Sequence, residues 1–311
     1  MIKNNKIIIV LLLFINTVLN TGCSQIPLYP RLPANPPESL PIKNIDVALV
    51  LSGGGARGVA HAGVLEVLEH EGIPINLIVG CSAGSMVGAF YADKPDSIAL
   101  RDHLLKIKKQ ELLDPCLSHG LQMLWGIKGF MRGHALKRYL SKRLDARDFS
   151  ELKIPLSVVT TDVNAARTYV IDSGPLIPAI HASSALPLAF EPLQMYGKTL
   201  VDGGVISPLP VEIAKKYHPK LIIAVYIGNR PEEYPVTTNF ELLYRSIHIS
   251  YYTLACWQAH QADILIHPDV DSFGFFDDKN NMDLYLAGKI AALKALPDIR
   301  RALKQRKIAT H

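Results

Sequence analysis

Short apolar runs recur along the chain, and most of them close on glycine. Val47 to Leu51 is continuously apolar and ends in Ser52 and a glycine cluster. Runs of this length bounded by glycine predict strands buried on both faces, as in a parallel sheet. Downstream, Val59, Ala62, Val64, Leu65 and Leu68 fall close to helical spacing, and Gly72 ends the stretch. A second strand is expected over Ile75–Gly80, followed by a second helix starting near Ser85. Further strands are predicted within 154–163, 199–204, 220–228 and 262–270, with helical stretches between several of them. Such alternation predicts an α/β architecture, a mostly parallel sheet covered by helices. No internal repeat is visible.

Composition narrows the picture. The chain has 311 residues, of which 49% are hydrophobic, which excludes a disordered chain and allows a sizeable core. The formal charge is +5, with Lys and Arg scattered rather than blocked. That pattern fits solvated helix faces, leaves open a basic face toward anionic lipid, and predicts no nucleic-acid partner.

The N-terminus reads as an address. Lys3 and Lys6 precede the apolar run Ile7–Leu19, which is interrupted at Asn16. A membrane span needs about 20 apolar residues, so this run matches the core of a secretory signal instead. Leu19–Ser24 resembles the lipobox of bacterial lipoproteins, with Asn20 in the place of the usual leucine. The resemblance implies that Cys23 is lipidated after cleavage, that the protein is anchored in the cell envelope, and that Ser24 directs it to the outer membrane. A plain signal anchor with an incidental cysteine is the alternative. Pro27 to Pro41 holds six prolines and is expected to be an extended tether. The expected organisation is therefore a signal peptide over 1–22, a lipidated Pro-rich tether over 23–44 and one domain over 45–311. Cys81, Cys116 and Cys256 remain, an odd number that leaves room for one bridge without saying which.

Three short stretches carry chemistry. Gly80–Gly84 reads G-C-S-A-G between an apolar strand and a helix start, the context of a nucleophile elbow. The small neighbours leave room for a tight turn that lifts Ser82, and the helix behind it points its positive end at the serine oxygen. Cys81 is read as a packing residue rather than a rival nucleophile. Gly53–Gly58 reads G-G-G-A-R-G, which also satisfies a dinucleotide-binding fingerprint. That reading wants an acidic residue closing the next strand; Glu69 and Glu71 lie near the spacing, but Ile75–Gly80 carries no such residue and leads into the serine turn. Successive glycines instead let main-chain N–H groups hold an oxyanion, with Gly54, Gly55 and Ala56 as candidate donors. Arg57 is a candidate brace for the loop, a candidate contact for an anionic head group, or a plain surface residue. The third stretch, Val201-Asp202-Gly203-Gly204, is a turn signal when taken alone.

In this order and spacing the three motifs resemble the patatin-like phospholipase family. The resemblance runs from about residue 46 to 214 and includes the segment that begins at His181. It implies a three-layer α/β/α fold and lipid acyl hydrolase activity on phospholipid or lysophospholipid. It also implies a dyad of Ser82 as nucleophile and Asp202 as base, working through an acyl-enzyme, with Gly53, Gly54, Gly55, Ala56, Arg57 and Gly58 as oxyanion loop. Gly80 and Gly84 frame the elbow, and Gly203 and Gly204 follow the base. No cofactor, nucleotide or metal is implied. A histidine base stays open as a rival, with His218, His248, His260 or His267 in suitable chain order and His61 and His181 near the motifs. The stretch 93–150 is expected to be mostly helical and to cover the site, and its basic, partly amphipathic part, 129–144, is either a membrane contact or an ordinary surface helix. A non-catalytic lipid-binding envelope protein on a retained hydrolase fold is the alternative function.

Overall fold

A computed structural model of the chain describes residues 28–29, 32–39, 41–115, 129–231 and 235–310. The expected signal segment, the lipidation site Cys23 and the thiol of Cys116 lie outside these residues.

The predicted strands form one sheet. β1 (Val47–Leu51), β2 (Leu77–Cys81), β3 (Leu156–Asp162), β7 (Leu221–Val225) and β8 (Ile264–Ile266) run parallel. Three further strands, β4 (Arg167–Ile171), β5 (Leu193–Met195) and β6 (Lys198–Asp202), join by antiparallel pairing. Hydrogen bonds link the strands in the path β5-β6-β3-β2-β1-β7-β8, and β4 also pairs with β3. The main helices are α1 (Val59–His70), α2 (Ala83–Asp93), α3 (Ser97–Leu104), α4 (Lys109–Leu112), α5 (His134–Arg143), α6 (Leu176–Ser183), α7 (Val211–Lys215), α8 (Asn239–Ala259) and α9 (Asn281–Gln305).

The period-two geometry of a strand sorts side chains to opposite faces. Val47, Leu49 and Leu51 join a core with α1, α2, α5, α6 and α9, while Ala48 and Val50 join a second core with α7 and the end of α8. Helices thus cover both faces, giving the expected three-layer α/β/α arrangement. Both faces being buried is why these strands are apolar runs without alternation.

β3 does the positioning. One of its edges pairs with β4, bringing Val159 opposite Val170 and Thr160 opposite Tyr169. Its other edge carries β2 as far as Cys81 opposite Val159, and then β6, with Asp202 opposite Thr160. β2 and β6 therefore lie end to end on one edge, running toward each other. Their meeting ends carry Ser82 and Asp202.

Within 93–150 the described residues form α3, α4 and α5 with turns and irregular chain around them, and residues 116–128 lie outside the described residues. The described part of the tether lies against the body. The Leu28 carbonyl accepts from Lys137 Nζ at 2.6 Å, Tyr29 Oη meets His181 Nδ1 at 3.1 Å, and Ser173 Oγ donates to the Pro37 carbonyl at 2.9 Å.

Candidate active site

Ser82 is the single residue between β2 and α2. Its backbone sits at φ 51, ψ −120. A positive φ on a residue with a side chain costs of order 1–3 kcal/mol and needs support from its surroundings. That support is visible. Ser82 N–H donates to Ser183 Oγ at 2.8 Å, whose hydroxyl donates to the Val159 carbonyl at 2.6 Å. The Ser82 carbonyl accepts from the Ser85 and Met86 amides and from Ser85 Oγ. The small residues are obligatory here: a Cβ on Gly84 would stand 2.2 Å from the Leu51 carbonyl oxygen, and one on Gly80 2.6 Å from Ser85 Cα.

Ser82 Oγ donates to Asp202 Oδ2 at 2.6 Å. The other carboxylate oxygen accepts from Gly204 N–H at 2.7 Å and from the Cys81 thiol at 3.7 Å. Asp202 is 4% exposed. Burial pushes its pKa up to about 6, although the hydrogen bonds from Ser82, Gly204 and Cys81 pull the other way. The carboxylate is thus a far better proton acceptor near neutral pH than a solvated aspartate. Burial beside Asp202 also drives the Cys81 thiol well above its ordinary range, so it stays protonated.

Among the described residues no imidazole bonds to Ser82. His61 Nε2 lies 3.0 Å from the Ser52 carbonyl, and burial lowers the ring to about 4. His181 faces Tyr29 and is likewise lowered to about 4 by burial. His267 reaches the Gly228 carbonyl at 3.4 Å and stacks on Tyr226. His248 keeps a ring contact with Tyr244 on α8. Neither His218, just after α7, nor His260, at the end of α8, reaches the serine.

The glycine loop leaves β1 beside the elbow. Gly53 N–H donates to the Pro208 carbonyl and Ala56 N–H to the Phe275 carbonyl at 2.8 Å. Of the three candidate oxyanion donors, Ala56 is therefore engaged. Gly54 and Gly55 N–H make no hydrogen bond among the described residues. Arg57 is buried and faces away from solvent. Its Nε donates to the Gly54 carbonyl at 3.2 Å and its Nη1 to Asn229 Oδ1 and the Phe273 carbonyl. The guanidinium braces the loop and ties it to the segment carrying Phe275, whose ring lies 5.9 Å away.

A cavity of 120 Å³ opens onto Ser82 and Asp202. Its walls are largely aliphatic and aromatic: Val59, Met86, Leu104, Ile107, Leu136, Phe190, Phe275 and Phe276, with Lys108, Lys109 and Asp278 also lining it. Such a lining suits an alkyl chain beside a polar reacting centre. Among the described residues no group of three or more His, Cys, Asp or Glu is placed to hold a metal ion, and no helix is long and apolar enough to cross a membrane.

Ser183, Asn229 and Phe275 were not singled out by the motifs. Ser183 lies within the segment that begins at His181, but nothing in its local pattern marks it as the brace of the elbow. Asn229 and Phe275 act from far along the chain, where no spacing rule applies.

The chain is similar to several known proteins. The mouse patatin-like phospholipase domain-containing protein 6 is 34% identical over 190 residues, 60% of this chain and 14% of that protein. Lysophospholipase NTE1 of Scheffersomyces stipitis is 30% identical over 195 residues, 63% of this chain and 12% of that protein. The chain thus matches only about a seventh of the length of these relatives. Among solved structures, VipD from Legionella pneumophila superposes with a TM-score of 0.48 at 14% identity, covering 84% of this chain and 68% of that one. The model of the patatin-like phospholipase family matches residues 49–215, which hold all three motifs and both residues of the Ser82–Asp202 hydrogen bond. The chain belongs to the patatin-like phospholipase family.

Proposed function

We propose that this protein is a serine lipid acyl hydrolase, of phospholipase A or lysophospholipase type, that works through a Ser82–Asp202 dyad. The observation that carries this reading is the 2.6 Å hydrogen bond from Ser82 Oγ to a buried carboxylate. In the first half of the reaction Asp202 accepts the Ser82 proton as Oγ attacks the ester carbonyl carbon. The resulting oxyanion rests against the Gly54 and Gly55 amides and the positive end of α2. The tetrahedral intermediate collapses, the alcohol leaves with the proton held by Asp202, and the acyl group stays on Ser82. In the second half Asp202 takes a proton from water, which attacks the acyl-enzyme, and the fatty acid leaves as Ser82 recovers its proton. The apolar cavity holds the acyl chain throughout.

The proposed setting is a membrane surface, reached through an acylated Cys23. The described part of the tether is held on the body through Tyr29 and Pro37.

Fatty-acid release from defined lysophospholipid micelles and phospholipid vesicles tests the activity, with Ser82→Ala and Asp202→Asn beside the wild type. A fluorophosphonate probe should label the wild type and not Ser82→Ala. Hydrolysis that survives Ser82→Ala would end the proposal.

A further inference from the structure

Tyr251 comes from α8, beyond the family-matched segment, yet it borders two parts of the site. The point where a Cβ on Gly204 would stand is 2.6 Å from Tyr251 Cε2 and 3.1 Å from Asp202 Oδ1. The corresponding point on Gly53 is 2.8 Å from Tyr251 Oη and 3.1 Å from Ser82 Cβ. One phenol therefore occupies the side-chain space of a glycine in the oxyanion loop and of a glycine in the turn after Asp202. Both motif glycines are small because this ring is there.

The Tyr251 hydroxyl is buried and has no hydrogen-bond partner among the described residues, and its proton is held far more tightly than usual by desolvation, with Cys81 and Asp202 adding to the effect. Tyr251 is half-buried and its ring packs beside the turn that carries Asp202, which is 4% exposed.

We propose that Tyr251 is a positioning residue whose ring seals the back of Asp202 from water and thereby sets the pH at which the dyad works. This rests on the dyad reading above. The groups facing Asp202 are few. Ser82 Oγ and the Cys81 thiol come from the end of β2 and its turn, the Gly204 amide from the turn after β6, and the Tyr251 phenol from α8. Glu212 on α7 acts on Cys81 and Arg57 on the glycine loop acts on Tyr251, while burial and the hydrogen bonds from Ser82, Gly204 and Cys81 dominate at Asp202. Desolvation is accordingly the largest influence on this carboxyl.

The rate of fluorophosphonate labelling of Ser82 across pH reads the dyad directly. Tyr251→Ala opens this side of Asp202, and the acid limb should move down by roughly one pH unit or more as the carboxyl regains water. In lipid hydrolysis kcat should fall more than KM. Tyr251→Phe keeps the ring and should keep the limb where the wild type has it. If Tyr251→Ala does not fold, Tyr251→Leu, which leaves this side partly open, takes its place with the same readout. A limb unmoved in the truncated variant overturns the proposal, and so does a limb displaced as far by Phe as by Ala. Asp202→Asn separates the two readings. If it labels as fast as wild type, the dyad itself fails; if it labels slowly while the truncated Tyr251 variant keeps its limb, only the role of Tyr251 fails.

Discussion

β1 and β2 are neighbours that leave the same end of the sheet through glycine-bounded turns, and the two turns do opposite things. The turn after β2 places its left-handed residue on Ser82 and ties down the main chain around it, so that a side chain is presented. The turn after β1 places the left-handed residue on Gly55, at φ 61, and leaves two amides unengaged among the described residues, so that main chain is presented. Both satisfy glycine spacings that look interchangeable in a sequence. What separates them is where the fold finds partners for their polar groups.

The sharpest way to break this comparison is Ser82→Ala. If the elbow exists to present one hydroxyl, hydrolysis should drop on the order of 10⁴-fold or more while the fold survives. Next come the glycines. Gly55→Ala puts a side chain at positive φ with its Cβ 2.4 Å from the Phe275 carbonyl oxygen, which disturbs the donors without touching the sheet. Its kcat should fall roughly 10²-fold, the scale of one lost oxyanion donor, with a thermal midpoint close to wild type. Gly84→Ala drives a methyl into the Leu51 carbonyl and should instead lower the thermal midpoint or abolish soluble protein. If both glycine variants failed in the same way, the distinction between the turns would be lost.

The base gives two pH predictions. Asp202 must be ionised to accept the serine proton, so kcat/KM should fall about tenfold per pH unit below about 6. The stability effect has the opposite direction. The folded pKa lies above the unfolded value of about 3.8, so between about 3.8 and 6 the native state binds more protons than the unfolded one. Stability contributed by this group is present at low pH and lost as pH rises through 6. Asp202→Asn should therefore raise the thermal midpoint at pH 7 relative to wild type, and the gain should vanish near pH 4. The smallest effect belongs to Cys81→Ala, which removes one weak S–H donor at 3.7 Å and should change kcat by no more than about threefold.

Much of this was legible in the residues. Strand runs such as Val47–Leu51 and Ile75–Gly80 are apolar because both faces are buried, so they announce a parallel sheet directly. Ser82, Asp202 and the glycine loop are each marked by local backbone needs that only small residues meet. The direction of β6 was not legible, because Thr199–Gly204 reads the same whether its strand is parallel or antiparallel. Nor were the residues that hold the site from afar. Ser183, Asn229, Tyr251 and Phe275 act through space, and nothing in their own neighbourhoods records it. Arg57 was visible, but its choice between solvent and loop depends on Asn229 and Phe273, more than 170 positions away.

The head-on placement of β2 and β6 along one edge of β3 makes that strand a ruler. Cys81, next to Ser82, lies opposite Val159 and Asp202 opposite Thr160, so consecutive residues of β3 set the spacing of the two side chains whatever the path of the chain between positions 82 and 202. α3 and α5 belong to that intervening chain but take no part in this pairing, so a change on their surfaces leaves the register of β2 and β6 in place. Leu104 of α3 and Leu136 of α5 line the cavity, so its walls can vary while the spacing of Ser82 and Asp202 along β3 stays the same.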